Sequence, residues 1–491
     1  MQVPKIQFCP EITHQELDSR FFRRVEAATF PKHQIRYCNY EAAATIGLDQ
    51  LDDGSWISHF GQFRPLAGSF QTPLALCYHG HQFGHYNPDL GDGRGFLFAQ
   101  MRDQSGRLLD LGTKGSGKTP FSRTADGRLT LKGAVREILA TEMLAGLNVN
   151  TSRSFSVIET GERLDRHDEP SPTRSAVLVR LSHSHIRIGS FQRLAYMDDL
   201  DGIEVLARYV ARHYFSEPEE TGDRQFSGLD ADIPLADLLP GLLLRISAAI
   251  ANMVGSWLAA GFVHGVLNTD NFNVTGESFD YGPWRFLPHF DPNLTAAYFD
   301  QTGRYAYGRQ PDAALWAVCR LADCFVKIVP QKDLEHQLRS FHSLVEARLA
   351  KQIQWRLGIF FDNDDASRDA ALTRDFFGAA KASQYGFDQI FHDLYGGQPR
   401  TEGYDANHWK PVLNHLQDAS PRNIAALDHP HFQAQKALSM TIDEVEAIWE
   451  PIAANDDWSL LSAKLAAIHQ MRQAYGVGDV PLPRIVGGPA S

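Results

Sequence analysis

Cysteine is scarce in this chain: five in 491 residues, at Cys9, Cys38, Cys77, Cys319 and Cys324. With no CxxC pair among them they are too sparse for a disulfide scaffold, and a reducing cytoplasm is the expected compartment. An excess of basic charge is also missing. Against 59 Asp and Glu stand 47 Lys and Arg, a formal net charge of -12, so no positive field exists to gather nucleic acid or anionic lipid. The opening MQVPKIQFCPEITHQEL has neither a basic region followed by an apolar run nor a small-residue cleavage site, and no secretory signal is expected. One apolar stretch has membrane-spanning length, between Arg245 and His264, but it carries Ser247, Asn252, Ser256 and two glycines and is predicted to be a buried core helix. Internal repeats and low-complexity tracts are absent as well. What remains is 43% hydrophobic and 11% aromatic, a globular chain with room for about three domains or one large elaborated one.

From about Gly84 to Leu181 short apolar runs alternate with turn signals: GFLFAQM, DQSGR as a hairpin turn, then LLDLGTKG. This reads as an antiparallel sheet. Within it LTLKGAVREILATEMLAGLNV has helical period, with Leu131, Val135, Ile138, Leu139, Met143 and Leu144 on one face. Beyond GIEVLARYVARHYF, and after an acidic stretch SEPEETGDRQFSGLDADIPLADLL read as a surface loop, helical patterns dominate. They include PGLLLRISAAIANMVGSWLAAG, AALWAVCRLADCFVKIV, KDLEHQLRSFHSLVEARLAKQI and LLSAKLAAIHQMRQAYG. A β-rich part therefore precedes an α-rich part, a two-lobed α+β layout.

Residues 112–119, GTKGSGKT, satisfy the P-loop pattern G-x-x-x-x-G-K-[ST] in full. A P-loop needs a helix starting at its Lys-Thr, and Pro120 followed by an Asp-Gly turn at 126–127 argues against one, so a P-loop NTPase is the weaker alternative. A second set stands in the order protein kinases use. Gly91, Gly93 and Gly95 open a glycine-rich turn, Lys114 ends a strand-like run, and Glu137 lies on the next helix where it could pair with that lysine. His264 to Asn271, HGVLNTDN, overlays H-R-D-L-x-x-x-N with Val266 at the base position, and Asp280-Tyr281-Gly282 follows nine residues after Asn271. Asn271 and Asp280 are thus a candidate divalent-metal pair, and Asp270 the candidate proton acceptor in place of the missing aspartate. Arg180 and Arg187 fall near the expected junction of the lobes, where guanidinium forks suit phosphate. His79, His81 and His85 are expected to serve as structural hydrogen-bonders, and the acidic run at 361–369 lacks the glycine and terminal glutamate of an EF-hand.

HQFG at 81–84, LGDGRG at 90–95, KGSGKTPFSR at 114–123, ADGR at 125–128, NTDN at 268–271, DYGP at 280–283 and GRYAY at 303–307 together resemble the selenoprotein O family of pseudokinase protein adenylyltransferases. The resemblance runs from about residue 55 to 330. It implies a two-lobed protein-kinase-like fold with an N-terminal extension (1–75), an N-lobe (76–195), a C-lobe core with the catalytic loop (196–335) and a helical C-terminal region (336–491). It also implies transfer of AMP from ATP to Ser, Thr or Tyr hydroxyls of proteins, itself among them, with pyrophosphate released. By the same resemblance Gly91, Gly93, Arg94, Lys114, Asp126, Gly127, Arg180 and Arg187 contact the nucleotide and Glu137 holds Lys114. Asp270 accepts the proton, and Asn271 and Asp280 bind Mg²⁺ or Mn²⁺. Two alternatives stand beside this: uridylyl transfer from UTP with Mn²⁺, and a non-catalytic ATP-binding scaffold. Lys132 occupies a position where the family usually has arginine, and the tail VGGPAS ends without the cysteine or selenocysteine some members carry.

Overall fold

Two-residue alternation builds the first half of the molecule. In strand Thr173–Ser182, Ala176 and Leu178 face one side while Val177, Val179 and Leu181 face the other, and the two sets join different apolar clusters. The computed structural model describes residues 6–167, 169–221, 224–477 and 482–487, so the end of the tail at 488–491 lies outside the described residues. Its main sheet has ten strands. Along the principal path these run Arg484–Ile485, Gln34–Cys38, Arg153–Leu164, Thr173–Ser182, Leu108–Lys114, Leu97–Arg102, Leu74–Leu76 and Phe22–Arg24, each antiparallel to its neighbour. DQSGR makes the expected hairpin, with Arg102 opposite Leu108. The irregular first segment supplies strands as well as cover: Gln34–Cys38 pairs with Arg153–Leu164, while Trp56 and Phe60 pack on Phe155 across the outer face.

Helix Leu131–Gly146 crosses the inner face, capped by the Thr130 side chain, which accepts from Gly133 N. Its buried residues include Leu131, Val135, Ile138, Leu139, Met143 and Leu144, the face that the 3.6-residue period predicts. Inner-face parity also fixes the functional side chains. Lys114 is in register with Leu178 and Arg180 with Gly112, so the lysine and the arginine leave adjacent strands toward the same helix.

Helices fill the second half. Leu235–Ala260 is long and apolar enough to cross a membrane by length and composition, yet Leu238, Leu242, Ile246, Ile250 and Val254 are fully buried within the protein, packed among neighbouring helices such as Phe341–Arg356. Gly261, at φ +68°, ends it in the left-handed conformation that glycine adopts without penalty. One residue later Phe262–Val263 pairs with Arg285–Phe286, so residues 264–284 form an excursion closed by a two-stranded ladder. That excursion carries the HGVLNTDN and DYG segments. KDLEHQLRSFHSLVEARLAKQI, expected as one helix, is two, Gln331–Leu338 and Phe341–Arg356. The chain turns between them so that Leu334 and Phe341 both reach the core. AALWAVCRLADCFVKIV likewise stops at Asp323, and the acidic stretch contains a short strand pair, Glu219–Thr221 with Arg224–Phe226.

Trp257 ties the long helix to the excursion, being almost fully buried with Nε1 donating to Ser278 Oγ at 3.0 Å. Trp257→Ala is expected to cost about 3–5 kcal/mol by removing this packing and leaving a cavity. Urea denaturation should show a correspondingly lower midpoint, and an unchanged midpoint would contradict the placement of this helix at the core.

Candidate active site

The excursion is held by bonds to its own carbonyls and to the Gln310 side chain. His264 Nε2 donates to Phe279 O at 3.0 Å, His264 N donates to Gln310 Oε1 at 3.0 Å, and Asn271 Nδ2 donates to Val266 O at 3.0 Å across the short turn Thr269–Asn271. At Gly265, with φ +81°, a Cβ would lie 2.3 Å from Pro283 O, so this position of the loop admits glycine alone.

At the base of the cleft Lys114 Nζ donates to Glu137 and, at 2.7 Å, to Asp280 Oδ1. Arg180 Nη1 reaches the same Asp280 oxygen at 3.3 Å. Burial by itself would raise the Asp280 carboxyl, but Lys114, Arg180, Arg187 and Arg94 hold it well below the usual carboxylate range. Asp280 adopts φ +64°, a left-handed conformation unusual for a residue with a side chain and tolerated best by Asp and Asn.

Arg187 bridges three parts of the site. Nη1 donates to Asp270 O at 3.1 Å, Nη2 to Asp92 Oδ1 at 3.3 Å, and its guanidinium lies over Tyr78 and Phe279. Asp92 in turn accepts from Leu76 N at 3.0 Å, while its carbonyl accepts from Thr119 Oγ1 at 2.5 Å. The glycine-rich turn is thereby pinned to the KGSGKTPFSR segment, where Gly115 N donates to Arg94 O at 2.7 Å. A Cβ on Gly91 would strike the Phe121 ring at 2.3 Å and one on Gly95 the Thr113 carbonyl at 2.0 Å, which explains glycine at both positions. Asp126 and Gly127 lie farther out. Asp126 pairs with Arg166 at 2.8 Å and Gly127 O accepts from Gly117 N at 3.1 Å; among the described residues no hydrogen bond joins this turn to the Asp280 cluster. Lys118 is exposed and the next helix begins only at Leu131, so the segment lacks the helix of a P-loop.

Asp270 is buried, with Oδ1 bare of any hydrogen-bond partner. Burial pushes its carboxyl up to about 6, opposed by the Arg187 charge. Its surroundings contain residues that sequence reasoning passed over. A Cβ on Gly80 would sit 3.1 Å from Asp270 Oδ1, so this glycine leaves the space beside the carboxylate open. Thr269 Oγ1 donates to Gln192 Oε1 and accepts from His81 N at 2.7 Å; Asn268 Oδ1 accepts from Phe83 N and from the Tyr305 hydroxyl, both at 3.0 Å. The HQFG and GRYAY motifs, noted for their resemblance alone, thus seat the loop that carries Asp270 and Asn271. His79 and His81 bond Tyr86 OH and Gln192 Nε2, each at 2.8 Å.

The donor set suits a hard divalent cation. Among the described residues no hydrogen bond reaches the Asn271 amide oxygen or the second Asp280 oxygen, and no cluster of three or more His, Cys, Asp or Glu able to hold a metal occurs. Phosphate oxygens and water would complete such a shell, as is usual for Mg²⁺. Next to the cluster opens a cavity of about 440 Å³ lined by Arg94, Lys114, Arg128, Lys132, Arg136, Arg166 and Arg285, with Glu169 and Glu446 the acidic residues among the described lining, a balance that favours an anionic ligand.

A family model described as Protein adenylyltransferase SelO matches residues 3–469. Proteins named Protein nucleotidyltransferase YdiU are similar throughout. That of Synechocystis sp. is 39% identical over 93% of this chain and 97% of its own length, that of Synechococcus elongatus 40% over 91% and 92%, and that of Rhodopseudomonas palustris 37% over 90% and 89%. The similarity therefore extends well past residue 330, into helices whose ordinary amphipathic patterns carry no motif. The solved chain of ROP2 from Toxoplasma gondii, titled a virulence factor with a protein-kinase fold and no enzymatic activity, overlaps at a TM-score of 0.27 and 9% identity, covering 74% of this chain and 88% of that one, too slight to bear on fold or activity.

Two expectations follow from the geometry. Lys114→Ala should weaken ATP binding at least tenfold while Lys118→Ala changes it less than twofold; equal losses, read by calorimetry, would restore the P-loop. Because the folded state keeps the Asp270 proton up to about pH 6 and the unfolded chain releases it near 3.8, stability falls as pH rises through that window. Asp270→Asn should therefore stabilise the metal-free, nucleotide-free protein at pH 8 by up to about 3 kcal/mol and leave it little changed at pH 3.5. A loss of stability at pH 8, by denaturant titration, would contradict the buried, unpaired carboxyl.

Proposed function

The chain belongs to the protein adenylyltransferase SelO family, and on that premise we propose that it is a protein nucleotidyltransferase that moves AMP from ATP to hydroxyls of protein substrates. The observation that carries the reading is the pairing of a carboxylate-centred cation cluster with a base set four residues along the loop. Lys114, Arg180 and Arg187 surround Asp280, while Val266 occupies the kinase base position and Asp270 supplies the carboxylate instead.

In this account the phosphate chain lies among Arg94, Lys114, Arg180 and Arg187, with the backbone of Gly91 and Gly93 giving it room and Asp126 and Gly127 at the outer end. Glu137 keeps Lys114 in place. Asn271 and Asp280 hold the divalent cation, which when bound neutralises charge on the phosphates. A Ser, Thr or Tyr hydroxyl oxygen attacks the α-phosphorus, and its proton passes to Asp270. The new O–P bond forms as the bond from the α-phosphorus to the bridging oxygen breaks, and pyrophosphate leaves with the electron pair. The arginines and Lys114 stabilise the charge developing on that leaving group. Adenine is favoured over uracil by the description of the matching family; the relatives' names specify a nucleotidyl group and no base.

Incubated with Mg²⁺ and ATP labelled at either the α or the γ phosphate, the protein should place only the α label covalently on itself or on a generic protein acceptor. Asp280→Ala should abolish transfer and Asp270→Ala reduce it about 10²–10⁴-fold. Transfer of the γ label would make the protein a kinase. Transfer with UTP and Mn²⁺ alone would assign uridylylation, and ATP binding with no transfer under either condition would leave a scaffold.

A further inference from the structure

Two arginines in the cleft have no carboxylate partner among the described residues and converge on one backbone atom. Arg136, on helix Leu131–Gly146, places Nη2 3.4 Å from Trp284 O; Arg285, in the strand that closes the excursion, places Nη1 2.8 Å from the same oxygen. The Arg136 guanidinium also lies 4.8 Å over the Trp284 ring. Both side chains are half-buried and face the cavity shared with Lys114 and Arg94. Of the other cations of that wall, Lys114 is matched by Glu137 and Asp280, Arg128 by Glu162, Lys132 by Glu446 and Arg166 by Asp126, while Arg94 makes no ion pair among the described residues and acts on Asp280 at longer range. Burial draws the Arg136 pKa down to about 10, with the Arg285 charge adding to it, and burial lowers Arg285 as well; the Glu446 carboxylate, paired with Lys132, opposes both shifts from a distance without forming an ion pair with either arginine. Two like charges held together in a partly dry wall are relieved by a negative group placed between them.

We propose that Arg136 and Arg285 form an acceptor subsite that takes the carboxylate side chain of an acidic residue flanking the modified hydroxyl of the protein substrate. The proposal rests on the nucleotidyl-transfer reading and names its substrate class. Neither arginine bonds Asp280, Asp270 or Asp92, the residues among which the phosphates are placed. The cavity wall includes Tyr281, Gly282 and Pro283, which follow Asp280 directly, and Tyr298, 85% exposed, with Phe299. Peptide backbone and aromatic rim together are ground for a polypeptide, and paired arginines are a common reader of acidic motifs.

The test uses the full-length protein and two fluorescent peptides, a serine flanked by glutamates and the same peptide flanked by glutamines, titrated by anisotropy without nucleotide. The glutamate peptide should bind about tenfold more tightly, a preference that shrinks in high salt. Arg136→Gln and Arg285→Gln should each bring the two affinities close together while ATP affinity stays within twofold. Arg285→Glu should reverse the preference toward a lysine-flanked peptide, an outcome that misfolding cannot produce. Equal binding of the two peptides by the unaltered protein would overturn the subsite. So would a loss of ATP affinity with the peptide preference intact, which would assign the pair to nucleotide, or no effect of either glutamine variant, which would make the pair a structural support of Trp284. Peptide selectivity without any α-label transfer would instead count against the enzymatic reading alone.

Discussion

One carboxylate, Asp280, organises this molecule. It projects from the helical half into a ring of cations delivered by the sheet, and through Lys114 it communicates with Glu137 on the crossing helix. The strand register that aligns Lys114 with Leu178 and Arg180 with Gly112, the left-handed backbone at Asp280, and the ladder that closes residues 264–284 all serve to bring these charges together. Taking so many charges out of water is costly, and loss of the central anion would leave cations facing one another. The arrangement makes sense where polyphosphate and a divalent cation are the expected visitors.

The second constraint is the opposite one, a carboxyl with too few partners. Asp270 is buried without a bond to Oδ1, next to a glycine whose missing side chain keeps a space open. Gln192, His81, Phe83 and Tyr305 seat its loop through Thr269 and Asn268. Such a group is destabilising in the resting protein and suited to receive a proton from a hydroxyl brought against it. Asp270 stands four residues from the position a kinase uses, which is what the proposed attack at the α-phosphorus draws on.

Much of this was legible in the sequence because it depends on short-range order. Period-two alternation placed Lys114 at a strand end and period 3.6 placed Glu137 on the next helix, and the two side chains meet. The spacing of Asn271 and Asp280 needed no tertiary knowledge. Gly80 against Asp270, Gln192 against Thr269, and Arg136 with Arg285 around Trp284 were not legible, since each joins elements far apart in the chain and each residue is ordinary by itself. The break between Leu338 and Phe341 was missed because its flanking patterns share one helical period and no glycine or proline marks the turn. The last third shows ordinary amphipathic helices and no chemical motif, so its membership, which the family match carries to residue 469, was not legible in it.

The ionisation of Asp280 bears most directly on the account. With aspartate carboxyl carbons labelled and Asp280 assigned by comparison with Asp280→Asn, ¹³C NMR of the metal-free protein should show its resonance constant as pH falls through 3.8, where ordinary aspartates titrate. A titration at the ordinary aspartate value of 3.8 or above would mean that the cations around it do not act as one site, and the proposed phosphate and metal chemistry would lose its anchor.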